Sequence, residues 1–310
     1  MYDTIKLWLP SERVGSYETS KVCDSLTRYT EHYNEKNEMY ITGYLGDNFR
    51  VRIYQSGISL QGSLAKYFLP DNFHTLTRSD SELAFEQIGD AVHLPINRAK
   101  VSRIDFSQNF IMNYKPEAYY TYLGDCQFYN RLTQEKSLYY SNKLRTKLFY
   151  NKVAWAKAKN VAIPDVLKDK NVLRYEMRYM TRLPKEFNKS EVLVSDLIDE
   201  NFYIGLFDKW YSEYESINKL NSINLNFNSI SSPKDFMKHL CLYAIDDIGF
   251  DKIMSVVEEM RYLGSFNKPE YYSRLKKNIR ELGSTPSYTN PSELMLELDG
   301  KIKDAKRYYR

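Results

Sequence analysis

The chain has 310 residues, 43% of them hydrophobic and 27% charged, a composition that excludes global disorder and allows about two domains. No apolar run approaches the roughly 18 residues of a bilayer span, so no membrane partner is expected. The formal net charge is only +4, but residues 131–189 hold 15 Lys or Arg against 5 Asp or Glu, and such a basic band fits a phosphate-backbone partner.

Along the chain, residues 2–10 alternate as a strand does, and Ser11 to His32 reads as a helix with Val14, Val22, Leu26 and Tyr29 on one side. Residues 39–69 read as a meander of short strands broken at Gly46-Asp47 and Ser56-Gly57. Ser79 with Glu82 predicts a capping box that opens a helix ending near Pro95. A strand follows over residues 100–112, then a short helix after Pro116, and further strands over 147–153 and 171–180. Residues 190–217 carry an amphipathic helical pattern, residues 220–233 form an Asn/Ser-rich linker, and residues 235–263 and 270–282 are helical. Strands and helices mix at hairpin-scale spacing with no βαβ rhythm, which predicts α+β with a largely antiparallel sheet.

The three cysteines lie far apart and match no zinc spacing, which fits a reducing compartment. The opening MYDTIKLWLPSERVG has no basic region followed by a long apolar core, and a cytoplasmic location is expected.

Residues i and i+2 of a strand face the same way. In VSRIDFSQNF this places Arg103, Asp105, Ser107 and Asn109 on one face; in KLFYNKV it places Leu148, Tyr150 and Lys152 together; in VLRYEMRYM it groups Arg174, Glu176 and Arg178. If the strands are neighbours, one surface gathers two carboxylates, a tyrosine and several cations, which suits phosphoryl transfer. Asp105 and Glu176 offer the hard oxygens that Mg²⁺ or Mn²⁺ prefers. Tyr150 is a candidate nucleophile with Lys152 favouring its phenolate, and Arg174 and Arg178 are candidate phosphate clamps. Within the basic band, Arg145 and Lys147 are candidate DNA contacts, and Arg103 joins the same cationic set. A sheet face laced with salt bridges would produce the same pattern.

Four stretches in order, MYDTIKLWLP, GSLAKYFLPDNFHTLT (62–77), VSRIDFSQNF with LRTKLFYNK, and NVLRYEMRYMTRLPKEFN (171–188), resemble the replication initiation proteins of the filamentous-phage gene II/X family, rolling-circle initiators of phages and related plasmids. The resemblance covers residues 1 to about 190. It implies a nicking-joining endonuclease that cuts one strand of a double-stranded origin through a tyrosine, holds the 5′-phosphate covalently, and later rejoins the displaced strand. It places the nucleophile at Tyr150 and acidic positions at Asp105 and Glu176, with Lys66 and Asn72 of the second stretch among the DNA contacts. Where the family carries Gly-His-Asn, this chain reads Pro70-Asp71-Asn72, so Asp71 and, two positions past Asn72, His74 are candidates for a further metal ligand. No Gly-rich loop ending in Gly-Lys-Ser/Thr is present, so unwinding is expected from a host helicase and synthesis from a host polymerase. A mobilisation relaxase with the same chemistry and a DNA-binding protein without catalysis are the other readings the sequence leaves. The expected organisation is a catalytic α+β domain over residues 1–195, an antiparallel sheet flanked by helices, then a helix and linker over 196–232 and a helical region over 233–310.

Overall fold

The computed structural model describes residues 1–14, 19–223, 230–283, 289–290 and 292–309. Of the Asn/Ser-rich linker, residues 224–229 lie outside the described residues.

The first eleven strands are β1 (Tyr2–Pro10), β2 (Thr27–Tyr33), β3 (Met39–Leu45), β4 (Phe49–Tyr54), β5 (Gly57–Ser63), β6 (Lys100–Met112), β7 (Leu123–Cys126), β8 (Asn130–Gln134), β9 (Ser137–Ser141), β10 (Arg145–Asn151) and β11 (Asn171–Tyr179). All but β7 join one sheet in the order β2-β3-β4-β5-β1-β6-β11-β10-β9-β8, with every neighbouring pair antiparallel. The fold is α+β. The strands expected to carry the chemistry, β6, β11 and β10, are consecutive in the middle of the sheet. Their register sets Arg178 opposite Asp105, Glu176 opposite Ser107, and Tyr150 opposite Arg174.

The helices are α1 (Thr19–Asp24), α2 (Leu64–Phe68), α3 (Arg78–Val92), α4 (Pro116–Tyr120), α5 (Lys152–Ala158), α6 (Leu183–Glu186), α7 (Val194–Ile198), α8 (Glu200–Glu215), α9 (Pro233–Ile248), α10 (Phe250–Tyr262), α11 (Pro269–Gly283) and α12 (Glu293–Tyr309). One face of the sheet is buried. Ile5, Leu7, Val51, Leu60, Phe106, Phe149 and Tyr175 share a single core with Phe85 and Ile88 of α3 and with Tyr203, Phe207 and Trp210 of α8. The apolar positions of α8 recur at helical spacing, so its stripe faces the sheet throughout. Aromatic packing knits the layer, with Phe149 stacked on Tyr175 at 4.5 Å and Tyr175 against Trp210 at 4.8 Å.

The C-terminal region is helical, as expected, but its helices pack in two places. Leu220, Ile245 and Phe250 centre a small cluster of their own, while Met295, Leu298, Ile302 and Ala305 of α12 return to the large core beside α8. Among the described residues no helix is long and apolar enough to cross a membrane.

Several local expectations change. The helix expected over Ser11–His32 shrinks to a 3₁₀ turn at Ser11–Arg13 and α1, and its last third is strand β2. Thr27, Tyr29, Thr30 and Tyr33 are β-branched or aromatic, and pairing with β3 gives their backbone a ladder that a helix would compete against. The cap of α3 is Thr77, whose side chain accepts from Asp80 N while Asp80 accepts from Thr77 N, so the box lies two residues before Ser79–Glu82. Strand β10 stops at Asn151, whose side chain accepts from Ala154 N at 3.0 Å and caps α5. Lys152 therefore starts a helix and does not continue the strand. The turn at Gly57 holds as expected: φ is +148°, and a Cβ there would sit 2.5 Å from the Leu9 carbonyl oxygen.

Candidate active site: a polar cleft in the middle of the sheet

On the face away from α8, strands β1, β6, β11, β10 and β9 with α2 and α5 line a cleft of about 620 Å³. Asp3, Lys66, Asn72, Arg103, Asp105, Tyr139, Tyr150, Trp155, Glu176 and Arg178 reach it. Period-2 alternation explains the arrangement, because the residues that flank these point into the aromatic core.

Charges alternate across the floor. Arg103 binds Asp105 through two hydrogen bonds of 2.8 and 2.6 Å. Arg178 donates to Glu176 Oε1 at 2.6 Å and lies 3.9 Å from Asp105. Arg174 donates to Glu176 Oε2 at 3.2 Å and pairs with Asp3. Asp105, Glu176 and Arg174 are almost wholly buried, whereas Arg103 and Arg178 keep 26% and 30% of their side chains exposed. Burial, followed by the charge of nearby Glu176, pushes the Asp105 carboxyl up to about 6 against the pull of Arg103. Asp3 behaves oppositely: burial raises it, but Arg174, Ser63, Lys152 and Asn72 together outweigh that and hold it low.

Two carboxylates facing one cleft form a donor set of the kind a hard cation takes, and a bound cation would offset the Glu176 charge that adds to burial in raising Asp105. Asp105 and Glu176 are the residues that would hold such an ion, by releasing the guanidiniums they now pair with. Among the described residues, no group of three His, Cys, Asp or Glu comes together to hold one. The expected further ligands lie elsewhere: Asp71 accepts from the backbone N of Phe73 at 2.7 Å and of His74 at 3.1 Å, and binds the His74 ring at 3.0 Å. The short aspartate is spent closing its own turn, so neither Asp71 nor His74 joins Asp105 and Glu176.

Tyr150 is 8% exposed and lines the cleft, its ring 6.2 Å from that of Trp155. Its hydroxyl has no hydrogen-bond partner among the described residues. Burial pushes its phenol well above the ordinary value, and the largest opposing charge is that of Arg174. Lys152 does not take that part. Its ammonium donates to Asn72 Oδ1 at 2.7 Å and lies 4.3 Å from the Trp155 ring centroid, and burial with the Arg174 charge lowers its pKa to about 7. Asn72 is itself a cross-link: its carbonyl accepts from Arg174 at 3.1 Å and from Asn109 at 3.1 Å. Lys66, in the helix capped by Ser63, reaches the cleft beside Trp155, 5.7 Å from its ring centroid.

Two expected DNA contacts fall on the wrong face. Lys147 is fully buried beneath α8, donating to the Glu213 carbonyl at 2.6 Å, to Ser216 Oγ at 2.7 Å and pairing with the Glu213 carboxylate at 2.8 Å. Arg145 pairs with Glu213 and Glu186 on the same side. Both have odd numbers in β10, as Phe149 does, so the alternation that turns Tyr150 toward the cleft turns them into the core.

Sequence reasoning missed Asp3, which the burial of an acid inside the apolar alternation of MYDTIKLWLP signals. It also missed Trp155, placed by α5. Tyr139 and Tyr140 point to opposite faces, as adjacent strand residues must: Tyr139 lines the cleft, and Tyr140 is buried with its hydroxyl donating to the Leu123 and Gly124 carbonyls.

The fold and cleft define a protein with a charged, arginine-rich site set into an antiparallel sheet. Over residues 1–213 the chain matches the family model for the N-terminal part of the gene II replication-associated protein of phages. The chain belongs to that family, the phage replication initiators of the gene II type. No curated protein matches the chain.

Proposed function

We propose that the protein nicks one strand of a double-stranded origin and rejoins it, with Tyr150 as nucleophile, in rolling-circle replication. The observation that supports this reading is the Tyr150 hydroxyl, without a hydrogen-bond partner among the described residues, in the same cleft as Asp105, Glu176 and the arginines.

The Tyr150 oxygen bonds to phosphorus while the bond to the 3′-oxygen breaks. The phenol proton leaves to solvent through the cleft, and the departing oxygen takes up a proton to become a 3′-hydroxyl. The 5′-phosphate stays on Tyr150 until a 3′-hydroxyl attacks it, restoring the strand and the phenol. Arg174, whose positive charge already opposes the upward shift of Tyr150, stabilises the phenolate. Arg178 and Arg103, the two partly exposed guanidiniums, hold the flanking phosphate oxygens by paired hydrogen bonds. Asp105 and Glu176 would hold a divalent cation, Mg²⁺ or Mn²⁺, whose chemistry when bound would be to polarise the phosphate and steady charge on the leaving oxygen. Origin DNA is the partner, and a host helicase and polymerase complete the cycle.

The test is to incubate the protein with supercoiled origin DNA and Mg²⁺ and look for nicked circles and a detergent-resistant protein–DNA adduct. Binding without either product favours the non-enzymatic reading.

A further inference from the structure

The other half of the sheet carries a second surface that the cleft does not use. Along β1, β5, β4, β3 and β2, the positions facing away from the core are Lys6, Trp8, Ser59, Gln61, Arg50, Arg52, Tyr54, Tyr40, Thr42, Tyr44, Thr30 and His32, by alternation with buried Leu7, Leu60, Val51, Ile53 and Ile41. None of these is acidic. Lys6, Arg50 and Arg52 have no carboxylate partner among the described residues, unlike Arg13, Arg103, Arg131, Arg145, Arg174 and Arg178 elsewhere.

The register makes this surface continuous with the cleft. Arg103 lies opposite Lys6, Lys6 opposite Gln61, Gln61 opposite Arg50, and Arg50 opposite Tyr44. At about 4.8 Å between strands, this row runs about 19 Å from the edge of the cleft toward the sheet edge. Beside it runs a ladder of rings: Trp8 to Tyr54 at 6.1 Å, Tyr54 stacked on Tyr40 at 5.5 Å, and Tyr40 stacked on His32 at 5.0 Å.

We infer that this half-sheet is a platform for single-stranded DNA, entered from the cleft. On the reading above, in which the cleft cuts DNA, the strand flanking the nick lies along the Lys6–Arg50 row, with Arg52 one row over, and its bases on the aromatic ladder. Unpaired cations without a competing carboxylate complement phosphates. Aromatic faces stack on any base, but only on bases free of a duplex. A sheet face presents neither a helix nor a projecting ribbon to a major groove, which favours single strand over duplex.

The experiment uses the full chain in the Trp155→Phe background, where Trp8 and buried Trp210 are the remaining tryptophans, and an oligothymidylate as probe. Binding should quench Trp8 emission. With affinity read from the fluorescence anisotropy of a labelled oligothymidylate, Trp8→Leu and Tyr54→Leu should each weaken binding about tenfold, whereas Trp8→Tyr, which keeps a ring and guards against a folding defect, should retain it. An abasic oligomer should bind the parent protein as weakly as oligothymidylate binds the ring variants. Arg50→Gln with Arg52→Gln should flatten the logarithmic salt slope by about 1.4. Unchanged oligothymidylate affinity in folded Trp8→Leu and Tyr54→Leu proteins, or an unchanged salt slope in the arginine double variant, overturns the platform. Failure of the nicking reading is separable: it appears as the absence of nicked circles and adduct when the parent protein meets supercoiled origin DNA and Mg²⁺, and leaves the oligothymidylate results as they are.

Discussion

Replacing Tyr150 by Phe removes one oxygen and nothing else, and the structure fixes what that should cost. A typical hydrogen bond contributes about 0.5–1.5 kcal/mol net, but the Tyr150 hydroxyl makes none among the described residues, and the ring keeps its contact with Trp155. The stability change should be within about 0.5 kcal/mol, a Tm shift of no more than about 2 °C for a chain of this size. The chemical consequence is total, because no other atom of the side chain can bond to phosphorus. With an origin strand labelled at its 3′ end, the parent protein should retain label on a denaturing gel and Tyr150→Phe should retain none, at unchanged DNA affinity. Because burial holds the phenol far above neutrality, the phenolate fraction grows tenfold per pH unit. Single-turnover adduct formation by the parent should therefore rise with a logarithmic slope near one between about pH 6 and pH 8. An adduct formed by Tyr150→Phe at the parental rate and mapping to Tyr139, the other tyrosine of the cleft, would refute the assignment.

The remaining predictions concern the charges and the core. Asp105→Asn should separate stability from activity. The folded pKa of Asp105 is raised from 3.8 to about 6, so the stability of its protonated form is complete below the unfolded value and is lost as pH rises through the folded one. The asparagine variant should thus have a higher Tm than the parent at about pH 8 and no advantage at about pH 4, with nicking reduced about a hundredfold or more; a lower Tm at pH 8 contradicts the electrostatics. Glu176→Gln should lose nicking comparably while binding of origin DNA persists, and full cleavage at ordinary magnesium would remove Glu176 from the site. Lys147→Met leaves the Glu213 carboxylate buried without its main partner and should destabilise the fold by about 3–5 kcal/mol. The salt dependence of its DNA binding should not change, and a flatter slope would place Lys147 at the DNA after all. Leu298→Ala in α12, fully buried in the main core, should cost about 2–5 kcal/mol in denaturant unfolding, although it lies beyond the family-matched residues 1–213; a neutral result would mean that α12 does not belong to that core in solution.

Period-2 alternation is a property of the strand backbone alone, so the residues of β6 and β11 that share a face can be read without any tertiary contact. Arg103 with Asp105, and Arg174 with Glu176 and Arg178, were legible before any fold was known. So was the inward turn of Lys147, because it has the parity of Phe149 and not of Tyr150; net charge counted over a window hides parity. Thr77 and Ser79 both stand three residues before an acid, and only the surrounding chain path chose Thr77. Asp3, Asn72, Tyr150 and Arg174 lie up to 171 residues apart in sequence, and local pattern carries no information about which strands become neighbours. That order is set by how the whole sheet buries its apolar face against α3 and α8. The same burial decided the electrostatics: a carboxylate in water and one beneath the sheet surface are the same residue in sequence, and only the loss of solvent, with Glu176 beside it, makes Asp105 a carboxyl that a cation or a proton would stabilise.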